Sequence, residues 1–162
     1  MIERIAAWIA SWIASWPGAV LLQESGTAYL FVNAAHIVGI ALIVGAILPL
    51  DLRLIGCFRT VPIPVIGPFL SRIAAVGVAW TVLTGLWLFS VKPAEYFANT
   101  AFLTKMALLA VALGNIALQH HGHHFRLALE GGKVQPRVRI LAALSAVLWL
   151  SVLLAGRWIG FL

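Results

Sequence analysis

The chain has 162 residues, of which 62% are hydrophobic and only 10% charged, against roughly 25% charged in an ordinary soluble domain; its mean hydropathy is +1.02. A water-soluble fold of this size is excluded, and four apolar spans of ~20 residues with short loops use up nearly the whole chain, leaving no room for a separate soluble enzyme domain. The net charge of +6 gathers at loop ends rather than along a folded basic face, so no nucleic-acid partner is expected, and the single cysteine, Cys57, excludes an intrachain disulfide or a cysteine-paired metal site.

Residues 2–16 contain the repeat WIASWIASW, with Ile2, Ile5, Ile9, Trp12 and Trp16 at helical spacing, and Pro17-Gly18 stops it. The run is too short to span and Trp favours the headgroup region, so it predicts an amphipathic helix lying in the membrane surface. A cleaved signal peptide is the rival reading, opposed by Glu3 and the Trp-rich body. The first span is expected over residues 28–50, uncharged and closed by Asp51 and Arg53, which read as a polar boundary. A Pro-rich turn (Pro62, Pro64, Pro68) precedes the second, over 69–91, where Gly77, Thr81 and Gly85 form a small-residue stripe that lets a helix or a flat ligand come close. The third covers 99–119 and contains Lys105; the fourth covers 140–161 and contains Arg157, after a flexible Gly131-Gly132 loop. The fold class is therefore an all-α integral membrane protein, an antiparallel four-helix bundle preceded by an interfacial helix, forming one domain.

Arg53, Arg59 and Arg72 lie beside the loop after the first span, and Arg126, Lys133, Arg137 and Arg139 beside the loop after the third, whereas the opposite side has Arg4 and Lys92. The positive-inside rule makes the basic side cytoplasmic and puts both termini on the periplasmic side of a multi-pass protein of the bacterial inner membrane.

Ionisable groups within a span are costly and by default face the bundle interior. His36 lies roughly 12 Å, and Lys105 roughly 9 Å, in from the outer ends of their spans, with Arg157 near the outer end of the fourth. Three helices thus converge in one leaflet. Lys105, Leu108, Ala112, Asn115 and Gln119 share one stripe of the third helix, and Asn33 and His36 share a face of the first, with Gly39 one turn beyond leaving space beside the imidazole. An imidazole beside a small-residue groove suits haem b, with His36 as axial ligand, Lys105 as sixth ligand or propionate partner and Arg157 as propionate partner. The plainer reading has His36 donating to a carbonyl or an Asn side chain while Lys105 and Arg157 snorkel outward.

The run His36-Ile-Val-Gly-Ile-Ala-Leu-Ile-Val-Gly45, closed by Leu50-Asp-Leu-Arg-Leu-Ile-Gly56, together with Asn99-Thr-Ala-Phe-Leu-Thr-Lys105, resembles an uncharacterised family of small four-helix bacterial inner-membrane proteins. More distantly it resembles the copper-resistance D and HemJ protoporphyrinogen oxidase families. The HemJ resemblance, carried by His36 and Lys105, implies haem b and redox chemistry. No second span histidine lies at the depth of His36, which departs from the bis-histidine pattern of b561-type cytochromes.

His120, His121, His123 and His124 in the run QHHGHHFR lie about 20 Å from the level of His36, and could bind a divalent transition metal there or, through His120, a second haem. No nucleotide-binding glycine loop, HExxH motif or membrane-embedded carboxylate is legible. Three functions remain open: a haem b-binding electron-transfer component working with a quinone or a larger complex, a non-catalytic accessory or assembly subunit of a larger membrane complex, and a metal-handling protein using the cytoplasmic histidines.

Overall fold

The structure, a computed structural model, describes residues 2–161, with side chains from Trp8 onward. Ile2 and Ile5 of the expected surface stripe fall outside the described side chains. The described residues form eight α-helices and no strand: α1 (Ile2–Ala14), α2 (Pro17–Glu24), α3 (Gly26–Ile55), α4 (Ile63–Phe89), α5 (Pro93–Ala98), α6 (Thr100–His120), α7 (His123–Leu129) and α8 (Pro136–Trp158), the last closed by a 3-10 turn, Ile159–Phe161. Four helical segments, Gly26–Ile55, Ile63–Phe89, Thr100–His120 and Pro136–Phe161, are long and apolar enough to cross a membrane. The chain is an all-α membrane helical bundle.

Local chemistry sets the helix ends. Ser25 Oγ accepts from the Ala28 amide at 3.2 Å to start α3, and Asn99 Oδ1 accepts from the Phe102 amide at 3.0 Å to start α6. α3 runs past Pro49 and past the expected end at residue 50 because Leu50, Asp51 and Leu54 are buried in the bundle, and packing there outweighs the lost proline hydrogen bond. It stops at Gly56, whose φ of 127° lies where glycine alone is comfortable. α4 begins at Ile63, earlier than expected, because Pro64 falls in its first turn, where a missing N–H costs nothing.

α3 packs along both α4 and α8, and α8 packs along α6, but the backbones of α4 and α6 have almost no close approach. Two apolar clusters hold the bundle. The first joins Ile43, Ala46, Ile47, Ala74, Ala112, Leu148 and Trp149 from all four long helices. The second, nearer the basic loops, gathers Leu50, Leu54, Ile63, Phe125, Val138 and Ala142, so α7 closes that end through Phe125. α3 and α4 meet at glycines: a Cβ on Gly77 would stand 3.0 Å from the Ile43 amide nitrogen, and one on Gly39 would fall on Thr81 Oγ1.

The opposite, Trp-rich end carries α1, α2 and α5. Gln23 Nε2 donates to the carbonyls of Ala14 (3.1 Å) and Val91 (3.0 Å), and Trp87 Nε1 donates to Gly18 O at 2.8 Å. These bonds fasten the N-terminal helices to the end of α4. Trp8 and Trp12 remain exposed. Tyr96 of α5 lies in an aromatic group with Phe89 and Phe102, where burial and then its hydrogen-bonding neighbour Tyr29 push its hydroxyl up to about 12.

Candidate functional site

His36, half-buried on α3, points at α4. Thr84 Oγ1 is placed to donate to Trp80 O at 2.8 Å, an arrangement in which its 3.0 Å contact with His36 Nδ1 favours a hydrogen on Nδ1. The Nε2 lone pair of the neutral ring is then free, the state in which histidine ligates metals. Gly85 supplies room for the imidazole: a Cβ there would be 3.0 Å from His36 Cε1. Trp80 Nε1 donates across the same interface to Ala35 O at 2.8 Å, fixing α4 against α3 one residue from His36.

Lys105, half-buried on α6, lies over Gly156 of α8, whose missing Cβ would be 3.5 Å from Lys105 Cε. His36 and Lys105 both lie nearer the Trp-rich ends of α3 and α6, so the two groups share one half of the bundle. Leu88, Ala101, Val152 and Ala155 are buried in that half. Thr81 Oγ1, buried and unpartnered, faces Gly39 at the α3–α4 contact near this level.

The other expected residues are placed differently. Asn33 is exposed on the bundle surface. The space at Gly39 is filled by Thr81 and Trp80 of α4, so this glycine serves helix contact. Asn115 is 4% exposed and donates through Nδ2 to Leu141 O at 3.1 Å; it ties α6 to α8, about 15 Å along the helix from Lys105. Arg157 is exposed with its guanidinium 4.6 Å over the Phe161 ring. Of the four clustered histidines, His120 bonds its own helix at Ile116 O (3.1 Å) and packs on Phe125, while the His123 and His124 rings are 6.1 Å apart. No three His, Cys, Asp or Glu side chains are grouped to hold a metal among the described residues.

Two features escaped the sequence. Thr84, which orients His36, was legible only as a hydroxyl in an apolar helix. Asp51, expected at a polar boundary, is 3% exposed inside the bundle; its spacing from Ile47 and Leu54, both buried, is the pattern that marks it as interior.

Residues 11–162 match the model of a family described as a family of unknown function, DUF6644. The chain belongs to that family. The matched stretch contains His36, Lys105 and every other candidate residue. No curated protein matches the chain, and no solved structure does.

Proposed function

We propose that this chain is a haem b-binding redox component of a bacterial inner membrane, with His36 as axial ligand. The observation that carries the proposal is the 3.0 Å contact of His36 Nδ1 with Thr84 Oγ1, which, with Thr84 donating to Trp80 O, favours the tautomer whose Nε2 is free for iron, over a glycine. The residues fit the group. The few close approaches between the backbones of α4 and α6 suit a flat macrocycle between them. Lys105, half-buried beside Gly156, is the cation suited to a propionate carboxylate. Bound there, haem supplies one-electron transfer, and the chain's own part is to fix the ring tautomer of His36, neutralise the propionates and keep water from the pocket. The distant resemblance to the HemJ family, through the same histidine and lysine, points the same way.

The excess of Lys and Arg in the loops beside α7 favours a cytoplasmic position for that end and a periplasmic position for both termini. The electron partner is then a quinone or a larger membrane complex reached from the Trp-rich end. The experiment is the absorbance spectrum of protein purified from membranes in mild detergent. A Soret band lost in His36→Ala, with helical circular dichroism retained, supports the proposal; colourless wild-type protein of full helical content refutes it.

A further inference from the structure

The end of the bundle that carries the basic loops holds a cavity of about 280 Å³. Arg53, near the end of α3, lines it together with Pro62, Ile63 and Pro64 at the start of α4 and with Gly131 and Val134 of the loop between α7 and α8. The walls are stiff. Prolines fix the backbone on one side, and on the other Gly131, at a φ of 92°, comes close enough that a Cβ on it would stand 3.5 Å from Pro64 Cγ.

The charge around the cavity is one-sided. Arg53 Nε donates to Val61 O at 2.6 Å and Nη2 to Arg59 O at 3.1 Å; the two bonds hold the guanidinium in place and leave the rest of its five N–H groups without an acceptor among the described residues. α4 begins here with no side-chain cap, so the positive end of a long helix opens on the same space. Lys133 lies between the lining residues Gly132 and Val134, and Arg59, Arg72, Arg126, Arg137 and Arg139 belong to the same end. The acidic groups there are Asp51 and Glu130. Asp51 is shut inside the bundle at 3% exposure, and Glu130 forms no ion pair with these cations among the described residues.

We propose that this cavity binds the phosphate of an anionic phospholipid from the leaflet at that end of the bundle. It lies past the last apolar turns of α3 and before those of α4, the level at which headgroup phosphates stand. Sites that enclose a whole drug-sized ligand measure roughly 300–1,000 Å³, so a cavity of about 280 Å³ suits a headgroup whose acyl chains stay outside in the lipid. The planar fork of an arginine matches two phosphate oxygens, and the uncapped start of α4 adds to its pull. The surrounding Lys and Arg select for net negative charge, because a phosphatidylcholine headgroup brings its own cation to a place that already holds several. The site is at the opposite end of the bundle from His36 and does not depend on haem.

The test is native mass spectrometry of the purified full chain, delipidated in detergent and then offered phosphatidylglycerol and phosphatidylcholine in equal amounts. One phosphatidylglycerol should be retained per chain, about tenfold tighter than phosphatidylcholine, and inorganic phosphate in large excess should not displace it. Arg53→Gln should weaken retention roughly tenfold, the loss of one hydrogen bond to a charged group. Pro64→Trp, which fills the exposed side of the cavity and changes no charge, should abolish retention, and it serves as the test if Arg53→Gln does not fold. Arg72→Gln removes a cation of the same end that does not line the cavity and should bind as wild type. Equal retention of the two lipids overturns the proposal, as does a Pro64→Trp protein that binds like wild type. So does a loss in Arg72→Gln as large as that in Arg53→Gln, which would mean diffuse surface charge, or displacement by inorganic phosphate, which would make the free anion the ligand.

Discussion

Gly77→Ala should destabilise the bundle even though alanine is the better helix former. The added methyl would stand 3.0 Å from the Ile43 amide nitrogen, Ile43 Cγ1 and Leu42 Cβ; two of those three atoms are backbone or fixed to it, so α3 and α4 must separate. Overpacking of this kind costs ~1–3 kcal/mol, against about 1 kcal/mol gained from helix propensity, which leaves a net loss of about 1 kcal/mol and a Tm lower by roughly 2–4 °C for a chain of this length. Gly45 and Gly114 are the controls, because a Cβ at either meets nothing within 4 Å; alanine there should leave the Tm unchanged or raise it. Thermal unfolding followed by circular dichroism in one detergent reads all three variants. A Gly77→Ala protein as stable as wild type, or a Gly45→Ala protein equally damaged, would refute the close α3–α4 crossing on which the position of His36 depends.

Thr84→Val keeps the shape of the side chain but removes the oxygen that receives His36 Nδ1–H; it should cost about 1 kcal/mol and, by ¹⁵N NMR of the histidines, abolish the fixed Nδ1–H tautomer of one ring. An unchanged tautomer population would mean that another group orients His36. Tyr96, with its hydroxyl pushed up to about 12, is protonated in the folded state where the unfolded chain has begun to ionise. Its contribution to stability is complete below pH ~10 and is lost as pH rises toward 12. Absorbance at 295 nm should show a tyrosinate step near the upper end of that window, removed by Tyr96→Phe; since the chain has 2 tyrosines, a single step near pH 10 would contradict the burial of this ring.

The four long helices were legible because runs of uncharged residues this long have few other fates in a polypeptide, and the ends were not, because proline reads as a break from composition alone. Pro64 instead opens α4, where the lost N–H costs nothing, and α3 runs on past Asp51 and Arg53, the charges that suggested its end. His36 and Lys105 stood out as ionisable groups in apolar stretches, and the structure brings them to one half of the bundle. Which face each neighbour occupies depends on helix crossing, which no single helix encodes: Asn33 and Arg157 turn to the surface, Asn115 turns to α8, and Gly39 serves the contact with α4. Asp51 was hidden by its proximity to Arg53, which suggested a solvated boundary, whereas Arg53 turns away to cap the loop at Val61 and Arg59.

Titration of haemin into the cofactor-free chain reconstituted in lipid nanodiscs bears most directly on the role of His36. The wild type should give a shifted Soret band that saturates at about one haem per chain, His36→Ala should give no saturable shift, and His120→Ala should behave as wild type. Saturable binding that survives His36→Ala, or its absence from the folded wild type, would contradict haem ligation by the imidazole that Thr84 holds.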